Sequence, residues 1–239
     1  MFKFTRETTL KIHFILDQLI PPYLRDQKWF MWLPYKLLYK DKANIFLDFK
    51  DKAVHMTKDE LQAVYEQLQS KAIVREIDIS QICIEKIKNN IWGETVIDVG
   101  CGRGHLANIL SENYKVSATD FWLSPQMIQQ YPQIDFKQAD IHNLPYEDNA
   151  FDTVVCTKTL EHVLDIYKAI EELRRITRRR LIIIVPKQRP YKYTFDLHLH
   201  FFPYPFSLQN YLRPMPNTIS QEISIVAKDL YFQEDQHND

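Results

Sequence analysis

Apolar positions along this chain recur with two different periods, and the change between them divides it near residue 75. Before that point the spacing is helical. Ile12, Ile15, Leu16 and Leu19 make an apolar stripe that Pro21 and Pro22 terminate, since proline cannot continue a helix. Thr57-Lys58-Asp59-Glu60 is a capping-box pattern, and Leu61, Val64, Tyr65 and Leu68 follow it at helical spacing. These signals predict a helical cap or lid over 1–75. A helix starting at Ser80 then leads into five short apolar runs: Thr95–Val99, Lys115–Thr119, Ile134–Gln138, Phe151–Cys156 and Leu181–Val185. Helical stretches from Arg103, Ser124 and Asp165 separate them, and such alternation predicts a parallel sheet with helices on both faces. The unbroken apolar run Leu181–Val185 suits a strand covered on both sides. Beyond it, 186–206 is rich in aromatics, Pro and His, 207–212 reads as a short helix, and Ile219–Val226 and Leu230–Gln233 read as a terminal antiparallel pair. The expected architecture is α/β: a doubly wound sheet over 76–239, mostly parallel with a terminal antiparallel strand, an insertion at 186–206, and the helical cap in front.

Composition narrows this picture modestly. Lys+Arg (30) and Asp+Glu (31) nearly cancel to a formal charge of −1 over 239 residues, so no overall pull toward nucleic acid exists. The strongest basic cluster, Arg174, Arg175, Arg178, Arg179 and Arg180, ends a helical pattern; there cations complement the helix C-terminus and the face is expected to be solvated. Cys83, Cys101 and Cys156 are odd in number and lack metal-ligand spacing, which predicts a reducing compartment, no disulfide framework and no metal site. Neither a secretory leader pattern nor a run of about 18 apolar residues occurs, so a cytoplasmic location is expected.

The chemistry is concentrated in Val96-Ile97-Asp98-Val99-Gly100-Cys101-Gly102-Arg103-Gly104-His105-Leu106, between an apolar strand and a helix. Glycines there let the backbone turn tightly and approach a ligand. In a dinucleotide fingerprint the third glycine falls three positions after the second; here that position is His105 and the glycine comes early, at Gly104. Asp98 would repel a pyrophosphate but suits an ammonium or other cationic group. A nicotinamide-dependent oxidoreductase is therefore disfavoured. Asp120 ends the second apolar run and Asp140 follows the third, so three acids close three successive strands.

The pattern D-x-G-x-G-x-G resembles motif I of the class I S-adenosylmethionine-dependent methyltransferases. The stretch from Asp140 through Leu144-Pro145-Tyr146, Asp148 and Phe151-Asp152 to Val154 resembles the D-x-x-x-L-P-(F/Y)-x-D-x-x-F-D-x-V pattern of the type 11 methyltransferase family. The resemblance covers about Ile79 to Pro186 and implies a Rossmann-like fold with S-adenosyl-L-methionine as cofactor. It implies that Asp98 and the loop of Gly100, Cys101, Gly102 and Gly104 hold the methionine portion, Cys101 serving as a small residue within the loop. It further implies Asp120 on the ribose hydroxyls, Asp140 and Ile141 on the adenine, and Thr157 near the methionine end. Phe121 packs on the adenine or on the core. Arg75 pairs with the methionine carboxylate or is a solvated cap residue.

The methyl acceptor is expected to be an oxygen or nitrogen of a small or lipid-linked molecule, bound by the cap and 186–206. No basic groove and no Asn-Pro-Pro-Tyr motif point to nucleic acid or protein; Cys156-Thr157-Lys158-Thr159 stands in that place. Two histidines are candidates for a general base. His162, in the Glu161-His162-Val163 stretch common in relatives, is either catalytic or a packing residue of its loop. His200 lies in Asp196-Leu197-His198-Leu199-His200-Phe201, where an extended chain would put Asp196, His198 and His200 on one face. Lys28–Lys36 holds Trp29 and Trp32 between lysines; those aromatics either pack inward as a lid or, less expectedly, seat at a membrane interface. A cofactor-binding module without turnover is the alternative to an enzyme. Oligomeric state is not legible in the sequence.

Overall fold

The computed structural model describes residues 11, 14–69, 79–193 and 196–237, so Ile12 and Arg75 lie outside the described residues. The chain forms two compact units, Met1–Arg75 with Gln188–Phe201, and Glu76–Lys187 with Phe202–Asp239.

In the smaller unit a π-helical turn, Ile15–Leu19, precedes the short helix α1 (Pro22–Arg25), then α2 (Lys28–Tyr39), α3 (Ala43–Ala53) and α4 (Lys58–Gln69). The reciprocal bonds of the capping box start α4: Glu60 N–H donates to Thr57 Oγ1, and Thr57 N–H to Glu60 Oε2 at 2.8 Å. The expected apolar stripe is only partly used, because Leu16 is buried while Ile15 and Leu19 are exposed. Gln188–Phe201 packs into these helices. Tyr191 and Tyr193 join Met31, Tyr35 and Leu47, and Leu197 joins Phe49 and Ala53. Lys50 Nζ donates to the Tyr191 carbonyl at 2.6 Å and lies over the Phe201 ring, 4.4 Å from its centroid. Burial lowers its pKa to about 7 against the partial support of Asp26 and Asp196.

The larger unit holds α5 (Gln81–Lys88), β1 (Thr95–Val99), α6 (His105–Ser111), β2 (Lys115–Asp120), α7 (Pro125–Gln130) and β3 (Asp135–Gln138), followed by β4 (Phe151–Thr157), α8 (Ile166–Ile176), β5 (Thr177–Pro186), α9 (Pro205–Gln209), β6 (Thr218–Val226) and β7 (Asp229–Gln236). Hydroxyl or carboxylate oxygens of Ser80, Ser124 and Asp165 accept the N–H groups of Cys83, Met127 and Lys168 at the starts of α5, α7 and α8. The helix expected from Arg103 starts two residues later, after Gly104 in the left-handed region at φ 72°.

The seven strands are ordered β3-β2-β1-β4-β5-β7-β6, the first five parallel and β7 antiparallel to both its neighbours. This is the Rossmann-like sheet with an antiparallel strand near its edge. Alternate residues divide between two cores. Ile97, Val99, Val154, Cys156, Leu181, Ile183, Phe232 and the apolar side of α8 fill one face; Val96, Val155, Ile182, Ile184, Tyr231 and residues of α5, α6 and α7 fill the other. Strand order reverses between β1 and β4, so the crevice for a ligand opens at their carboxyl ends.

The basic cluster meets the expectation in part: Arg174 and Arg175 stand in the last turn of α8, and Arg178 and Arg179 are exposed. Helix α8 ends at Ile176, and Arg178–Arg180 open β5 instead of extending a helical face. Their charges are paired across the sheet: Arg180 grips Asp235 with two bonds of 2.6 and 2.9 Å, and Arg178 reaches Asp152 at 3.1 Å. Arg175 bonds both oxygens of Glu172, at 2.8 and 2.9 Å. Arg174 does the same to Glu234 of β7, at 2.9 and 2.6 Å, and Glu234 has no exposed surface. Glu172 is a local partner, three residues before Arg175, whereas Asp152, Asp235 and Glu234 lie 26, 55 and 60 residues from theirs, beyond the reach of any spacing rule.

Removing one member of a buried ion pair strands the other. Arg174→Met should therefore lower unfolding free energy in urea by about 3–5 kcal/mol, because Glu234 is left as an uncompensated charge. Adding Glu234→Gln should recover part of that loss, since it removes the stranded charge and its one carbonyl oxygen can still accept one of the two amide bonds that Gln221 and Gln236 donate to separate carboxylate oxygens.

Candidate active site

Asp98 is the penultimate residue of β1, whose last four residues are all buried. The parallel register aligns Asp98 with Ala118 of β2 and Val155 of β4, which places its carboxyl in the interior just below the reversal of strand order. Its Oδ1 has no hydrogen-bond partner among the described residues, while the Ala107 backbone N–H bonds the carboxyl group. Burial first, and the nearby Asp120 charge second, push its pKa up to about 7.

The glycine loop then turns over this carboxyl. Gly100 and Cys101 N–H groups both donate to the Thr119 carbonyl, at 2.8 and 3.0 Å, and Gly102 N–H donates to Asp120 Oδ2 at 2.8 Å. Trp122 N–H supplies the other oxygen of Asp120 at 3.2 Å. Burial raises the Asp120 pKa, and these backbone donors partly offset it. Asp120 thereby fastens the end of β2 to the loop and keeps lone pairs for further donors.

Gly100, Gly102 and Gly104 all have positive φ, yet they face different surroundings. A Cβ at Gly100 would fall 2.0 Å from Thr159 Oγ1, and at Gly104 3.2 Å from the Phe136 ring. At Gly102 it would meet nothing within 4 Å. Gly100 and Gly104 are glycine for packing; Gly102 faces open space, where a ligand can approach the backbone. Cys101 is buried between them, and burial first, then the two acids, holds its thiol protonated.

The remaining residues expected on the cofactor side lie along the same edge. Phe121, Asp140, Ile141 and Thr157 are half-buried, and Thr157 ends β4 where its carbonyl accepts the Thr159 hydroxyl at 3.0 Å. Asp140 is not isolated. Its Oδ1 takes the His142 backbone N–H at 3.0 Å and His142 Nδ1 at 2.6 Å, while His142 Nε2 accepts the Asp165 N–H at 3.3 Å. An accepting Nε2 puts the neutral imidazole's proton on Nδ1, which donates to Asp140. His142 thus orients Asp140 and ties it to the start of α8. The Asp140-Ile141-His142 spacing, an acid able to bond a backbone N–H two residues on, is the signal that would have found it.

The histidines fall in different units. His162 is half-buried in the loop after β4, its N–H bonded to the Thr159 carbonyl at 2.9 Å. His200 is half-buried in the smaller unit. The expected extended alternation around it does not form: Leu197 and His198 are both buried, and His198 Nδ1 donates to Gln188 Oε1 at 2.7 Å. Gln188 in turn donates to Tyr191 Oη at 3.1 Å, so His198 is a core hydrogen-bonding residue.

Residues 97–185 match a family model described as a methyltransferase domain. A 2-phytyl-1,4-naphtoquinone methyltransferase of Trichormus variabilis is 31% identical over 132 residues, covering 49% of this chain and 57% of that protein. The O-methyltransferase cnsE of Penicillium expansum is 32% identical over 103 residues, covering 38% of this chain and 37% of its own length. The chain thus spans less than two thirds of either relative. A solved structure of a SAM dependent methyltransferase from Aquifex aeolicus shares the fold, with a TM-score of 0.52 and 17% identity over 77% of this chain and all of that one.

The contrast between two glycines is measurable. Gly100→Ala combines a left-handed backbone with a collision against Thr159 and should cost about 2–5 kcal/mol of stability. Gly102→Ala should cost only the backbone part, about 1–2 kcal/mol. Urea unfolding of both variants checks this, and equal destabilisation would contradict the open space at Gly102.

Proposed function

We propose that this protein, whose residues 97–185 match the methyltransferase-domain family model, transfers a methyl group from S-adenosyl-L-methionine to an oxygen or nitrogen of a small or lipid-linked molecule. The observation that carries the reading is Asp98: a buried carboxyl with an unpartnered oxygen, beside a glycine whose front is open. A cationic group is what such a carboxyl lacks, and an aminoacyl sulfonium brings two positive charges. The donor set therefore fits the cofactor. Asp98 and the Gly100–Gly104 loop would hold its methionine portion, Asp120 its ribose hydroxyls, and Asp140, oriented by His142, its adenine with Ile141. When bound, the sulfonium supplies an electrophilic methyl group.

The chain's own task is then alignment, because in-line displacement gains most from positioning and needs a base only for an acceptor that holds a proton. Names of relatives such as the quinone methyltransferase and the O-methyltransferase support a small-molecule acceptor. His162 and His200 are the proposed bases, each half-buried.

Calorimetry tests the cofactor reading directly. With a carboxyl pKa near 7, Asp98 is mostly protonated at pH 6, and pairing with a cation ionises it. Binding of S-adenosylhomocysteine should release up to one proton at pH 6 and tighten as pH rises through 7. Asp98→Asn should abolish both effects and weaken binding. Tight binding of nicotinamide dinucleotides with none of the homocysteine product would overturn the assignment.

Catalysis separates from binding in the histidine variants. If the acceptor is protonated, His162→Gln or His200→Gln should lower turnover by about 10²–10⁴ while cofactor affinity stays within a few-fold. Single-turnover rates for both variants within a few-fold of the parent would assign the reaction to alignment alone.

A further inference from the structure

Helix α2 has two apolar faces, and only one is used. Met31 and Tyr35, one turn apart, are fully buried against Leu47 and the tyrosines of Gln188–Phe201. Trp29, Trp32, Leu33 and Leu37 occupy the opposite side at i, i+3, i+4 and i+8, and they are 70%, 45%, 58% and 70% exposed. The expectation that both tryptophans pack inward as a lid is thereby corrected, since the inward positions are taken by Met31 and Tyr35.

We propose that this face seats the protein on an anionic lipid surface. Its charge pattern favours that occupant. Between Lys28 and Lys42 stand four lysines and one acid, although the whole chain carries a net charge of −1. Lys28 is bridged to Asp48 at 2.6 Å, and Lys36 reaches the highly exposed Asp41 at 3.4 Å. Lys36 projects from within the apolar face and Lys40 lies at its end, where long stems lie along apolar surface while their ammonium groups reach headgroups. Tryptophan suits the same boundary because its ring is apolar and its N–H is not. Two copies of this chain meeting face to face would oppose these lysines with lysines; a headgroup layer supplies the opposite charge. No helix among the described residues is long and apolar enough to cross a membrane, so α2 lies in the interface plane. The inference is independent of methyl transfer, because its test reads binding alone.

Cosedimentation of the full chain with vesicles supplies that test. The parent should bind vesicles of phosphatidylcholine containing a third phosphatidylglycerol, bind pure phosphatidylcholine at least tenfold less, and dissociate as salt rises. Trp29→Ser with Trp32→Ser should reduce binding at least tenfold with the melting temperature kept, because neither ring is buried. If that variant melts early, brominated lipids on the unaltered protein decide: quenching of tryptophan fluorescence supports insertion, and its absence overturns it. Equal sedimentation of parent and folded variant overturns the proposal. So does failure of the parent to bind anionic vesicles, and a dimer abolished by the double substitution without vesicle binding would assign the face to a second copy.

Discussion

Covering both faces of a parallel sheet leaves its strand ends as the place where polar chemistry can be held without breaking the core. In this protein alternate residues of β1, β4, β5 and β7 feed two separate apolar layers, so strand interiors carry almost no freedom for functional groups. Asp98 marks the boundary. It sits one residue from the end of β1, deep enough to lose water and high enough to face the reversal of strand order. Its raised pKa follows from that placement, and the same placement gives it value as a cation partner.

The loop beyond Asp98 is held by strand-end hydrogen bonds rather than by its own side chains. Thr119 accepts two loop N–H groups and Asp120 a third, so the end of β2 shapes the turn that follows β1. Thr159, from the loop after β4, closes the space over Gly100. Three strands therefore define one glycine loop, and Gly102 alone of its glycines looks onto open space. His142 extends the same logic to β3, because it couples the orientation of Asp140 to the start of α8.

The smaller unit follows a different design. Its core consists of short helices with Tyr191, Tyr193 and Leu197, and Arg25, Lys50 and Asp26 bond backbone groups of the segment that carries them. With little depth to bury apolar surface, it keeps Met31 and Tyr35 inside and leaves a second apolar face of α2 outside. The exposed patch of tryptophan and leucine with lysines around it is the surface to which the lipid-binding proposal assigns a function.

Much of this protein was legible in the sequence because the signals are local. Period-two and period-3.6 patterns, the cap residues Thr57, Ser80, Ser124 and Asp165, and the glycine spacing after Asp98 each act within a few residues, and the fold follows them. Ends of elements shifted where a local rule met a tertiary one, as when Arg178–Arg180 became the start of β5. That Glu234, Asp235 and Asp152 neutralise Arg174, Arg180 and Arg178, which face of α2 stays exposed, and that Gln188–Phe201 packs with the N-terminal helices were decided only by tertiary structure. Those partners lie up to 166 residues apart, and strand order and helix packing, not spacing along the chain, bring them within bonding distance.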